Sequence, residues 1–142
     1  MNSTVDLLRE IYDGYLQALK ECETKYKPTD GVLGFGHSIK DDPCHGQFDA
    51  GIGKVIDEAV SADPSSEEAE AAIRFLFSHD PARYPVSAGL MLCAAERYSL
   101  KLIPFLSKEA AQALFREYDR KYKRWERLPV QREVWKALKS GS

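Results

Sequence analysis

Residues 4–28, TVDLLREIYDGYLQALKECETKYKP, decide the fold class. Val5, Leu8, Tyr12, Tyr15, Leu19, Cys22 and Tyr26 recur at steps of three and four, which places all seven on one face of an α-helix. Ser3 or Thr4 supplies an N-cap oxygen, and Pro28 with Asp30-Gly31 stops the run. A seam of about three heptads is short for a free coiled coil, so it is expected to pack inside its own chain. Pairing through this seam into a homodimer is the alternative use.

The same spacing returns beyond a gap. From Phe48 it resumes with Ile52, Val55 and Ala59, although Gly51 and Gly53 each cost about 1 kcal/mol relative to Ala, which predicts a start that frays easily. Asp63-Pro64 breaks this helix. Ser65 and Glu68 form a capping box for a third, with Ala69, Ala72, Ile73, Leu76 and Phe77 on one face and His79-Asp80-Pro81 at its end. Pro85 suits the first turn of a fourth helix, and Val86 to Ala95 is apolar almost all round, which predicts a buried central helix. Within it Gly89 and Cys93 lie one turn apart, a row of small residues that lets a neighbour approach.

Pro104 limits Leu100 to Leu106 to a short connection, and Ser107 is placed to cap a fifth helix. There Ala111, Phe115, Tyr118, Tyr122 and Trp125 repeat at helical spacing, widened by Leu114. Leu128-Pro129 sets off a last helix, 129–139, whose Val130, Val134, Trp135 and Leu138 dock it on the body. Residues 140–142 are expected to form a frayed tail. Alternating strand patterns and internal repeats at periods of roughly 30–45 residues are absent. The expected fold is all-α: a compact, irregular array of about six helices in one domain, residues 1–142, with a long Gly-rich loop after the first helix.

Composition supports a self-sufficient core. In 142 residues, 44% are hydrophobic and 30% charged, far from the disordered class. No basic start followed by an apolar run marks a signal peptide, and no apolar stretch is long enough to span a bilayer, so no membrane partner is expected. Three scattered cysteines, Cys22, Cys44 and Cys93, suit a reducing compartment, and a cytoplasmic location is expected. Charge is segregated: residues 1–115 carry 11 basic and 18 acidic side chains, net −7, and residues 116–142 carry 9 and 4, net +5.

The loop 28–46, PTDGVLGFGHSIKDDPCHG, holds four of the nine glycines. Loops beyond about 12–15 residues are uncommon inside compact domains and often functional, so Phe35, His37, Ser38, Asp41, Asp42 and His45 become partner-binding candidates. His37, Cys44 and His45 also suggest a metal or thiol centre, with His79 as a distant further ligand. Their spacing matches no standard zinc motif, and no orienting third group completes a Cys–His dyad. The glycines likewise miss both phosphate-loop patterns: Ile52 stands where the P-loop needs Lys, and no strand precedes the loop. No metal and no cofactor is expected.

Arg116, Arg120, Lys123 and Arg127 follow a helical row suited to phosphates, and with Arg124 they are the phosphate-binding candidates. Glu117, Asp119 and Glu126 interrupt the row, and the acidic pI of about 5.9 is unlike that of a dedicated nucleic-acid binder. Tyr118, Tyr122 and Trp125 are read as core. The expected function is a protein-interaction module, an adaptor or protein-binding inhibitor, that uses the 28–46 loop and adjoining helix faces. Nucleic-acid binding through the basic helix and a metal or thiol enzyme at His37, Cys44 and His45 are the alternatives.

Overall fold

A computed structural model describes residues 3–25, 44–80, 83–84, 86–122 and 127–142. The described residues form α1 (Thr4–Lys25), α2 (Cys44–Ser61), α3 (Ser66–Phe77), α4 (Val86–Ala95), the single turn α5 (Ser99–Leu102), α6 (Lys108–Lys121) and α7 (Pro129–Gly141). Two 3₁₀ turns, Glu96–Tyr98 and Ile103–Phe105, flank α5. Among these residues there is no strand, and the six longer helices match the expected all-α array.

Ser3 caps α1: its Oγ accepts from the Asp6 N–H at 3.1 Å. The α1 stripe then buries Leu8, Tyr12, Tyr15 and Leu19 against Phe48, Ile52, Val55 and Ile56 of α2. Tyr15 stacks on Phe48 at 4.2 Å, and Tyr12 meets the same ring edge-on at 4.9 Å. Gly51 earns its position from this packing, because a Cβ there would stand 3.3 Å from Ile11. The helix it weakens locally is the one it lets come close.

Three boundaries differ from the sequence expectation. α2 begins at Cys44, so the last three residues of the expected 28–46 loop are its first turn, and Cys44 and His45 are buried where a loop was expected. Tertiary contact overrides the glycine penalty, since Tyr15 holds both His45 and Phe48. α6 stops at Lys121 instead of continuing through Trp125, with Tyr122 extended (φ −119°, ψ 113°). The Tyr122 carbonyl then accepts from Arg127 Nε at 3.0 Å, a role a continuous helix would give to a backbone N–H. α7 in turn keeps residues 140 and 141 helical, in place of the expected tail. Gly141 lies where an added Cβ would touch Ala111 at 3.5 Å.

Elsewhere local chemistry acts as expected. Ser65 Oγ accepts from Glu68 N–H and Ser107 Oγ from Ala110 N–H, each at 3.1 Å. The Ser107 N–H donates to Ser66 Oγ at 2.7 Å and ties the start of α6 to that of α3. Asp63 ends α2 in the left-handed region (φ 55°), a conformation Asp tolerates better than most residues. α4 is central but not buried all round: Ala88, Leu92, Cys93 and Ala95 face inward, while Leu90 is 53% exposed. α7 closes the core with Val134 and Leu138 and runs antiparallel to α6, pairing Gly141 with Ala111, Trp135 with Phe115 and Arg127 with Asp119.

Candidate functional site

Two polar assemblies stand out, one inside the molecule and one on its surface. The inner one centres on Glu96, the first charged side chain after the apolar α4 and only 1% exposed. Its carboxylate accepts from Tyr118 Oη at 2.9 Å and from Tyr122 Oη at 2.8 Å. Lys121 Nζ lies 3.8 Å away and donates to the Phe77 and His79 carbonyls at the end of α3. One cation therefore caps a helix and partly balances a buried anion. Cys93 sits one turn before Glu96, and its sulfur is 3.7 Å from Gln131 Nε2 on α7. Gln131 Oε1 also accepts from the Leu128 N–H at 2.8 Å.

Burial raises the Glu96 carboxyl above its ordinary range, against the opposing pull of Tyr122, Lys121 and Tyr118. The same burial, with the Glu96 charge, pushes the Cys93 thiol up to about 11. Tyr118, Tyr122 and Tyr12 are raised for the same two reasons, burial first and Glu96 second. At neutral pH Cys93 is a thiol and the three phenols stay protonated; Tyr118 and Tyr122 donate to Glu96, and Gln131 meets Cys93, so the cluster joins the end of α4 to α6 and α7.

The outer assembly lies where α6 packs on α7. Trp135 stands 5.3 Å from Phe115, with its indole N–H donating to Asp119 Oδ1 at 2.8 Å. The Arg127 guanidinium lies 5.0 Å from the Trp135 ring and donates to the same Asp119 oxygen at 2.8 Å; Lys139 Nζ is 4.9 Å from the ring. Hydrogen bonds from Trp135 and Arg127 hold the Asp119 carboxyl below its usual range. Arg116 and Arg120 on α6 and Arg132, Lys136 and Lys139 on α7 are all exposed.

Among the described residues most other cations have acidic partners. Arg74 pairs with Glu70 and Glu117, Arg97 with Asp49, and Lys101 with Asp57. Among the described residues no carboxylate stands within 4.0 Å of Arg116, Arg120, Arg132, Lys136 or Lys139.

The structure redistributes the sequence candidates. Phe35, His37, Ser38, Asp41 and Asp42 lie outside the described residues, as do Lys123, Arg124 and Trp125. His45 is described and buried in α2, where its Nδ1 and Tyr15 Oη share a hydrogen bond of 2.6 Å. Such a side chain supports the α1–α2 contact and does not present itself to a partner. His79, considered as a distant ligand, stacks on Tyr12 at 4.4 Å, and burial lowers its basicity. Among the described residues no three His, Cys, Asp or Glu side chains converge as metal ligands.

Of the basic row, Arg116 and Arg120 are exposed as expected, but Arg127 is buried and paired with Asp119, so it is withdrawn as a phosphate contact. Tyr118 is core, as its spacing suggested. Glu96 was missed, although a lone carboxylate one turn beyond Leu92 was a visible signal. Among the described residues no helix is long and apolar enough to cross a membrane. Comparison with family models, curated proteins and solved structures finds no match to this chain.

Proposed function

We propose that this chain is a protein-interaction module, an adaptor or protein-binding inhibitor, whose contact surface is the basic outer side of α6 and α7. The observation that supports this most is the set of five exposed cations there, which among the described residues have no acidic partner while most other described cations do. Lysine and arginine side chains on two packed helices concentrate positive charge, and charge complementarity steers association and sets register. The half-buried Phe115 and Trp135 add aromatic area of the kind that interfaces favour. This reading moves the contact surface from the 28–46 segment expected from sequence to the C-terminal helices.

The experiment is affinity capture from the native host, comparing wild type with the fourfold charge reversal R116E/R120E/R132E/K136E. Loss of a specific partner from the variant, with circular dichroism unchanged, supports the module. An identical partner set refutes the basic side of α6 and α7 as its surface.

Nucleic-acid binding is the second reading, favoured by Arg116 and Arg120 one helical turn apart and exposed. It requires a salt-sensitive shift of labelled DNA or RNA that the fourfold variant loses. Absence of any shift at low salt removes it.

A further inference from the structure

We propose that Glu96 is an internal proton switch: its ionisation sets where Tyr122 stands and, through Tyr122, how the start of α7 is docked on α6. The route is a chain of contacts. Glu96 Oε1 accepts from Tyr122 Oη at 2.8 Å, and Tyr122 is the residue at which α6 stops. The extended backbone there gives its carbonyl to Arg127 Nε at 3.0 Å. Arg127 donates on to Asp119 Oδ1 at 2.8 Å, and its guanidinium lies 5.0 Å from the Trp135 ring. Arg127 is buried and stands just ahead of α7, so the chain joins a carboxylate in the core to the start of that helix.

The hydrogen-bond count ties this arrangement to the carboxylate. Ionised, Glu96 is acceptor only, with Oε1 taking Tyr122 and Oε2 taking Tyr118. Protonated, it brings a donor of its own, so three O–H groups compete for the carboxyl's acceptors and the Tyr122 bond loses its charge assistance. Tyr118 shares the carboxylate but lies inside α6, whereas Tyr122 stands where the chain leaves the helix. Loss of the Tyr122 bond is therefore felt at the junction with α7.

The surroundings of Glu96 are mostly neutral. Tyr12 of α1, Cys93 of α4 and the two phenols of α6 feel its charge, and the Gln131 amide of α7 meets Tyr122. Lys121 Nζ, 3.8 Å from Oε1, is the nearby cation, and the carbonyls of Phe77 and His79 hold it at the end of α3. Next in the chain, Arg97 pairs with Asp49 of α2, and Ser99 Oγ of α5 donates to the Glu96 carbonyl at 2.7 Å. Burial raises the carboxyl above its ordinary range, so its proton is exchanged nearer neutrality than that of an exposed glutamate. Protonation relieves the buried charge and relaxes the docking of α7; the two effects oppose each other.

The test uses the full chain carrying W125F, which leaves Trp135 as its one tryptophan. Its emission is followed from about pH 8 to about pH 4, the span in which a raised carboxyl titrates, with circular dichroism recorded alongside. Emission should change in a step whose midpoint lies above the ordinary 4.5 of glutamate, with helicity retained. Asp119, which bonds Trp135, is lowered from 3.8 and titrates below this span. E96Q, close to the protonated carboxyl in shape and charge, should abolish the step and show the acid-form emission at every pH. Y122F should abolish it too, and Y118F should keep it with a higher midpoint. Absence of a step in the W125F parent, or a step unchanged by E96Q, overturns the inference. If E96Q loses its helical spectrum, Y122F decides: a full-sized step in that variant shows that no signal passes through Tyr122, and its loss supports the switch.

Discussion

Glu96 and the exposed cations of α6 and α7 are opposite solutions to placing charge on a small helical domain. Inside, a single carboxylate is surrounded by two phenol donors and a nearby ammonium, and it is almost wholly removed from water. Outside, five exposed cations have no acidic partner among the described residues. Removing a buried charge from its donors leaves several groups unsatisfied, whereas reversing an exposed one disturbs little but the field around it. The inner cluster should therefore govern stability and the outer rows recognition.

The sharpest way to break that contrast is Glu96→Ala, which strands the Tyr118 and Tyr122 hydroxyls in the core. It should cost about 3 kcal/mol in urea unfolding, in line with loss of one partner from a buried charged pair. A loss below about 1 kcal/mol would show that Glu96 does not clamp α4 to α6. Next is Tyr118→Phe, which deletes one hydrogen bond to the carboxylate and should cost about 2 kcal/mol.

Tyr12→Phe sharpens the comparison in the other direction. Among the described residues Tyr12 Oη is buried without a hydrogen-bond partner, so its removal should raise stability by about 1 kcal/mol even though the residue is core. Equal or lower stability would mean that the hydroxyl is satisfied in solution. At the small end, each single reversal among Arg116, Arg120, Arg132 and Lys136 should shift stability by no more than about 0.5 kcal/mol, and effects above 1 kcal/mol would place these side chains in the fold.

The pH dependence carries the same distinction. Glu96 is raised above its ordinary 4.5 by burial, so the folded state holds that proton more tightly than the unfolded chain. The stability linked to it is fully present below the unfolded value and is lost as pH rises through the folded value. Glu96→Gln should flatten this decline, which denaturant unfolding at a series of pH values measures directly. A wild-type profile unchanged by Glu96→Gln would mean that the carboxyl does not titrate abnormally.

Helices and caps were legible in the sequence because their causes are local. Ser65 and Ser107 reach an N–H three residues on, and the seam from Leu8 to Leu19 needs only the 3.6-residue repeat to line up. The candidate site was far less legible. His45 looked like a loop ligand because its Gly-flanked neighbourhood mimics a loop; Tyr15, 30 residues earlier, decides that it is helical and buried. Arg127 looked like the next member of a basic row because the row was extended past the point where α6 ends. Tyr122 turns out of the helix there, and Asp119 and the Tyr122 carbonyl claim the guanidinium.

The sequence by itself determined an all-helical chain, the approximate helix borders, the aromatic core on α6 and the accumulation of positive charge near the C-terminus. All of these depend on residue spacing and composition within a few turns. Only the tertiary structure decided which charges are enclosed and which are presented. Lys121 is spent on the end of α3 and on Glu96, Arg127 on Asp119, and Arg116 with Arg120 is left outward. Partners more than 40 residues apart settle the first of these, and pairing over such separations is set by how helices pack, which no local pattern encodes.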